Sequence, residues 1–277
     1  MEIRIGHSPD ADDAFMFYGI ATGLIPTDPI TYRHIVTDIE NLNRLALKGQ
    51  LDVTAASVHA CAYLAQKYEI LPVGASMGDG YGPILVAQRS FSFSEISRLK
   101  VAVPGTLTSA YLALRLAVGP TPFTVMPFDQ ILPAVAAGTV PLGLLIHEGQ
   151  LTYEELGLVK VGDLGKWWKE KTGLPLPLGV NLVRRDLFEE VKALVAKHLT
   201  ESIKMAFQRR EESLRYAQGF GRGLNRERTE SFVGLYVSDL TLHMGEVGRQ
   251  AIRAFLLEGA RAGLVPYSPV SFWCDER

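Results

Sequence analysis

The apolar run Leu144-Leu145-Ile146 delivers His147 into the polar turn Glu148-Gly149. Neutral imidazole is abundant near pH 7, so a histidine held at such a point can take a proton as a general base. Of the 6 histidines, His7, His34, His59, His198 and His243 follow no comparably continuous apolar run; His7 and His59, near strand ends, are rival bases. A hydrogen-bonded core histidine fits the spacing of His147 equally well, and the residues alone leave both readings open. Ala55, Ala56 and Ser57 stand where a strand meets a helix, and Thr108, Ser109 and Ala110 repeat that arrangement. Unpaired N–H groups and the positive helix end can hold an anion there, although helix capping by the hydroxyls explains the same residues. Asp10, Asp12 and Asp13 could bind a cation or substrate hydroxyls; capping of the following helix is the simpler account. Neighbouring residues of an extended strand point to opposite faces, so Glu148 reads as a solvated or hinge-bonding carboxylate.

The elements that must position these groups come as repeated strand, turn and helix. Glu2 to Gly6 reads as a strand, and Ala11 to Thr22 as one helix with Asp10 as N-cap and Gly23 as terminator. Thr37 with Glu40 forms a capping-box pattern for a second helix ended by Gly49, followed by the strand Leu51 to Ala55. From Lys100 the pattern restarts: strand Val101 to Val103, turn Pro104-Gly105-Thr106, helix Leu107 to Ala117, strand Phe123 to Phe128, helix Asp129 to Ala137, and a strand ending at His147. Helix, Gly49, strand, Ser57 in the first unit thus corresponds to helix, Gly138, strand, His147 in the second, with both strands ending at one crevice.

The apolar stretches Gly82 to Gln88 and Leu174 to Val183 read as an outgoing and a returning crossover. They imply a larger discontinuous domain, residues 1–88 and 179–277, and a smaller inserted domain, residues 89–178, hinged near Gln88 and Gly179. Arg185 to Gly263 is helical in pattern and packs back on the larger domain, with Phe188, Val191, Leu194, Val195 and Leu199 as its first apolar stripe. Arg209, Arg210, Arg215, Arg222, Arg226 and Arg228 lie among glutamates there, which reads as a solvated helix face. Trp167-Trp168 reads as packing at the surface of the inserted domain, with a cover over the cleft as the alternative.

Composition narrows the function classes. With 277 residues, a net charge of −2 and 47% hydrophobic residues, the chain can bury a core without cross-links, and it has no basic surplus for nucleic acid. No stretch reaches the roughly 18 apolar residues of a membrane span. Met1-Glu2-Ile3-Arg4-Ile5 enters as an alternating strand rather than an export signal, so a cytoplasmic location is expected, with no membrane and no nucleic-acid partner. Cys61 lies in an apolar stretch and reads as an inert buried thiol; no metal-ligand spacing accompanies it or Cys274.

Twin β/α lobes joined by two crossovers resemble the type II periplasmic-binding-protein fold, an α/β class. Four segments narrow the resemblance: Ser8-Pro9-Asp10-Ala11-Asp12-Asp13, Asp52 to Ala60, Pro104 to Ala110, and Ile146-His147-Glu148-Gly149. In order and position they resemble the 1,4-dihydroxy-6-naphthoate synthases of the futalosine route to menaquinone, over essentially the whole chain. The resemblance implies a lyase that opens cyclic dehypoxanthine futalosine, a small-molecule carboxylate, with no cofactor and no metal. It also implies that His147 is the proton acceptor and that the turns at Ser57 and at Thr108-Ser109-Ala110 line the substrate cleft. Chorismate dehydratase, a sister activity on the same fold, and a non-catalytic solute-binding protein are the alternatives.

Overall fold

The computed structural model describes residues 1–274, apart from the side chain of Phe93. Its eleven strands are β1 (Glu2–His7), β2 (Thr31–Val36), β3 (Val53–Ser57), β4 (Tyr68–Ile70), β5 (Ser76–Gly78), β6 (Ile84–Ala87), β7 (Val101–Val103), β8 (Phe123–Val125), β9 (Leu142–Leu145), β10 (Val159–Asp163) and β11 (Leu176–Arg184). They form two sheets. The first runs β2-β1-β3-β11-β4, with β5 also paired to β11, and the second runs β10-β6-β9-β7-β8. Within each, three strands are parallel in the same order, β2-β1-β3 and β8-β7-β9, and the next neighbour, β11 or β6, is antiparallel. The two units expected from sequence are therefore topologically alike. Parallel neighbours need helical crossovers, which cover the sheet faces and leave strands such as β3, β7 and β9 buried throughout.

Gly49 and Gly138 carry out one matching task. Each takes a positive φ, 68° and 72°, and closes the helix that precedes β3 or β9, a turn that a side chain would strain. The helix expected over Ala11 to Thr22 is broken at Phe17 into Ala11–Met16 and Tyr18–Ala21. Ser202 explains the break locally: its hydroxyl accepts from the amides of Gly19 and Ile20 and donates to the Met16 carbonyl. The capping box at Thr37 and Glu40 is also absent. Asp38 caps the helix Ile39–Leu47, and Glu40 instead accepts from the Leu107 amide at 3.0 Å while pairing with Arg44.

The outgoing crossing lies at residues 79–83 rather than at Gln88, because β6 is held between β9 and β10 in the second sheet. Gln88 follows β6 and donates to the Ala136 carbonyl. The returning crossing follows the helix Leu164–Thr172, capped by Asp163, and enters β11. Trp168 is buried in the core, donating to the Pro175 carbonyl and meeting Phe255 edge-on, so the expected surface placement fails for it. The helices Glu189–Gln208, Arg210–Gln218 and Arg226–Tyr236 pack on the Ala11–Ala21 region. In their stripe Val195 and Leu199 are buried, but Phe188 precedes the helix and is exposed. Among the described residues no helix is long and apolar enough to cross a membrane.

Candidate active site

In open α/β sheets ligands sit beyond the carboxyl ends of the parallel strands. Here the ends of β1, β3, β7 and β9 meet around one cavity. All seven residues singled out from sequence line it: Ala55, Ala56 and Ser57 from β3, Thr108, Ser109 and Ala110 after β7, and His147 after β9. The void, counted together with the open solvent at its mouth, is about 700 Å³. Trp167 and Trp168 do not line it.

Two hydroxyls resolve differently from their sequence reading. Ser57 occupies an N-cap position without capping. Buried Asn43 grips it twice, accepting from the Ser57 amide at 2.9 Å and donating to Ser57 Oγ at 3.0 Å. That engages the amide expected to hold an anion, and leaves the hydroxyl proton free to point elsewhere. Thr108, by contrast, is an ordinary cap: its Oγ1 accepts from the Tyr111 amide and donates to the Gly105 carbonyl. Ser109 Oγ donates to the Leu178 carbonyl at 2.6 Å and accepts from the His59 amide. What the second turn offers a ligand is therefore backbone, the first amides of the ten-residue helix Ser109–Val118, which a helix cannot satisfy internally.

His147 lies two residues beyond β9 in a left-handed conformation, φ 57°, not at the end of an extended strand. The turn changes its surroundings. With the Gln150 amide oriented to donate to the Gly82 carbonyl, its oxygen accepts from the His147 amide and from the Tyr236 hydroxyl. His147 Nδ1 stands 3.3 Å from Asp10 Oδ2, and Nε2 has no hydrogen-bond partner. Asp10 sits at the N-cap position of Ala11–Met16 but makes no cap bond; Arg222 takes its other oxygen at 2.7 Å. Arg222 also reaches Glu148 at 3.1 Å, so Glu148 is buried and paired rather than solvated, and Arg222 is not on a solvated helix face.

The acidic turn is electrostatically loaded. Burial, with Asp13, Asp10 and Glu148 nearby, drives the Asp12 carboxyl well above the usual range. Burial likewise lifts Asp13 to about 6, against the lowering effect of its bonds from the Ser8 amide and hydroxyl, and raises Glu148. Asp12 and Asp13 line the cavity, and Asp12 Oδ1 is buried without a partner. Among the described residues, no three His, Cys, Asp or Glu side chains are grouped to hold a metal. The rival histidines lie elsewhere. His7 stacks on Phe17 and bonds to His34, and His59 bonds to the Thr108 carbonyl; burial depresses each to about 4. Cys61 is buried and its thiol is pushed up to about 12.

Sequence reasoning missed Asn43, Arg222, Tyr236 and Asn181 in this neighbourhood. Tyr236 and Asn181 line the cavity, and Asn181 donates to the Gly74 carbonyl while its oxygen has no partner. Of these, only Asn43 had a local signal: it sits on the helix Ile39–Leu47 among residues that face β3.

Comparison with known proteins places this arrangement. A protein of Candida albicans described as having the generic periplasmic-binding-protein structural fold superposes with a TM-score of 0.69 at 10% identity, covering 97% of this chain and 92% of that one. At that identity the likeness is one of fold. A crystal structure of an Archaeoglobus fulgidus protein is far nearer, with a TM-score of 0.92 and 45% identity over 95% of this chain and 98% of that one. The 1,4-dihydroxy-6-naphthoate synthase of Thermus thermophilus is 40% identical over 268 residues, 96% of this chain and 97% of the relative. A family model described as menaquinone biosynthesis matches residues 3–261, and with relatives this similar over nearly their whole length, the chain belongs to that menaquinone-biosynthesis family.

Proposed function

We propose that the protein is a 1,4-dihydroxy-6-naphthoate synthase, a carbon–carbon lyase that opens cyclic dehypoxanthine futalosine. The observation that carries the reading is that seven residues chosen from three separate segments line a single cavity at the strand ends, in a chain of this family. A base removes a proton, a carbon–carbon bond breaks, the sugar-derived fragment leaves, and the electrons left behind complete the aromatic ring. His147 is the base, acting through Nε2, and Ser57 with the backbone of Ser109 and Ala110 holds the substrate carboxylate and hydroxyls. The two sheets act as lobes, the chain crossing between them at residues 79–83 and again on entering β11, and closure between them keeps water from the intermediate. A cytoplasmic setting suits a biosynthetic lyase of this kind.

Purified protein incubated with cyclic dehypoxanthine futalosine should release 1,4-dihydroxy-6-naphthoate, followed by absorbance and mass. Chorismate is the control substrate. Turnover of chorismate alone would assign the sister dehydratase activity, and recovery of both compounds unchanged would leave only ligand capture.

The two hydroxyls separate binding from scaffolding. Losing one hydrogen bond to a charged group costs about 1.5–3 kcal/mol, so Ser57→Ala should weaken substrate or product binding roughly ten-fold or more. Thr108→Val removes a cap worth about 1 kcal/mol and should lower the melting temperature by a few degrees with little change in affinity. Calorimetry and thermal melts on both variants check the contrast; equal affinity in Ser57→Ala and the parent would exclude Ser57 as a ligand contact.

A further inference from the structure

We infer that Asp10 and Arg222 are positioning residues for His147, forming a chain of contacts between the two sheets that fixes which imidazole nitrogen faces the substrate. The inference rests on His147 being the base. Asp10 follows β1 of the first sheet and is fully buried. Its Oδ2 faces His147 Nδ1 at 3.3 Å and its Oδ1 accepts from Arg222 at 2.7 Å. A carboxylate at Nδ1 selects the tautomer that carries its proton there, leaving the Nε2 lone pair for the reaction.

Arg222 ties the arrangement from a third direction. It comes from the turn between the helices Arg210–Gln218 and Arg226–Tyr236, and its one nitrogen Nη1 serves both Asp10 and Glu148. Its guanidinium lies over the Phe128 ring at 4.3 Å, and that ring meets His147 edge-on at 4.8 Å. His147, Glu148 and Phe128 belong to the second sheet's unit, whereas Asp10 and Arg222 belong to the first. Backbone strain marks both ends of the contact: among the described residues only His147, Arg222 and Cys274 are non-glycines with positive φ, a conformation that needs surrounding contacts to hold it. Asp10 and Arg222 therefore orient the base only when the two units are together.

A double-mutant cycle tests this. Asp10→Asn should lower kcat on the order of 10²-fold with KM changed by no more than about three-fold, since the base is misoriented rather than the ligand lost. In the His147→Ala background the same change should have no further effect on kcat. Arg222→Met should lower kcat about ten-fold and Arg222→Lys should recover part of the loss, which reads out the contact independently if Asp10→Asn folds poorly. An unchanged kcat in both Asp10→Asn and Arg222→Met, or an equal loss with and without His147, overturns the inference while leaving the base assignment intact. Near-normal turnover by His147→Ala removes the base assignment and this inference with it.

Discussion

Replacing His147 by alanine is expected to lower kcat by roughly 10²–10⁴, the usual contribution of a positioned base, while KM stays within a few-fold of the parent. The expectation follows from where the ring sits. It lines the cavity, its Nδ1 stands 3.3 Å from Asp10 Oδ2, and its Nε2 has no partner in the protein. Ring removal should leave the fold intact, because His147 lies in a turn beyond β9 rather than in either sheet, so far-ultraviolet dichroism and melting of the variant should match the parent. Single-turnover and steady-state assays on cyclic dehypoxanthine futalosine measure the loss. Near-normal kcat would sink the assignment. Suspicion would then pass to Asp12, which is in the cavity, and not to His7 or His59, which do not line it.

Gly165→Ala should cost about 3 kcal/mol, the upper end for a change that forces overpacking. A Cβ at this position would overlap the Tyr81 carbonyl, and backbone cannot rotate aside as a side chain can. Tyr81 is itself held, its hydroxyl donating to the Leu235 carbonyl. Gly165 opens the helix Leu164–Thr172 beside the outgoing crossing, so the same substitution strains the place where the two units join. In a chain of this size the loss corresponds to roughly 6–12 °C in melting temperature. Gly234 provides the opposite control: it is inside the helix Arg226–Tyr236 with open space around its would-be Cβ, and Gly234→Ala should raise stability by about 0.5–1 kcal/mol. Indistinguishable melting curves for Gly165→Ala and the parent would refute the close-approach argument.

The twin units were legible because apolar runs, helix-ending glycines and turns recur in the same order in both halves, and such local patterns are what a sequence displays directly. The correspondence of Ser57 with His147 came from that repetition. What escaped was set by distant partners. Nothing near Phe17 announces the helix break, since the hydroxyl responsible is on Ser202. Glu40 has the spacing of a capping box, yet its carboxylate reaches 67 positions along the chain to Leu107. Arg222 was hidden among residues of mixed charge, and only the fold reveals that it closes on Asp10, 212 positions away. His147 was placed at a strand end because Ile146 continues the apolar run, whereas the left-handed turn that aims the ring depends on Gln150, Gly82 and Tyr236.

The position of β11 sets the order in which the molecule can be completed on the ribosome. This strand lies between β3 and β4 in the first sheet, yet the chain reaches it only after the whole second sheet has been made. Ser57 pairs with Gly179, so at ~5–20 residues per second the nascent β3 waits roughly 6–25 s for its partner. Through that interval one side of β3 is an open edge bearing unpaired amides and carbonyls, the kind of edge that recruits foreign strands. In the second unit, whose five strands β6 to β10 are consecutive in the chain, the wait is about half as long, since Ile84 of β6 pairs with Leu145. The strand that ends at Ser57 is therefore left exposed longest during synthesis, and the substrate cavity is among the last features of the protein to exist.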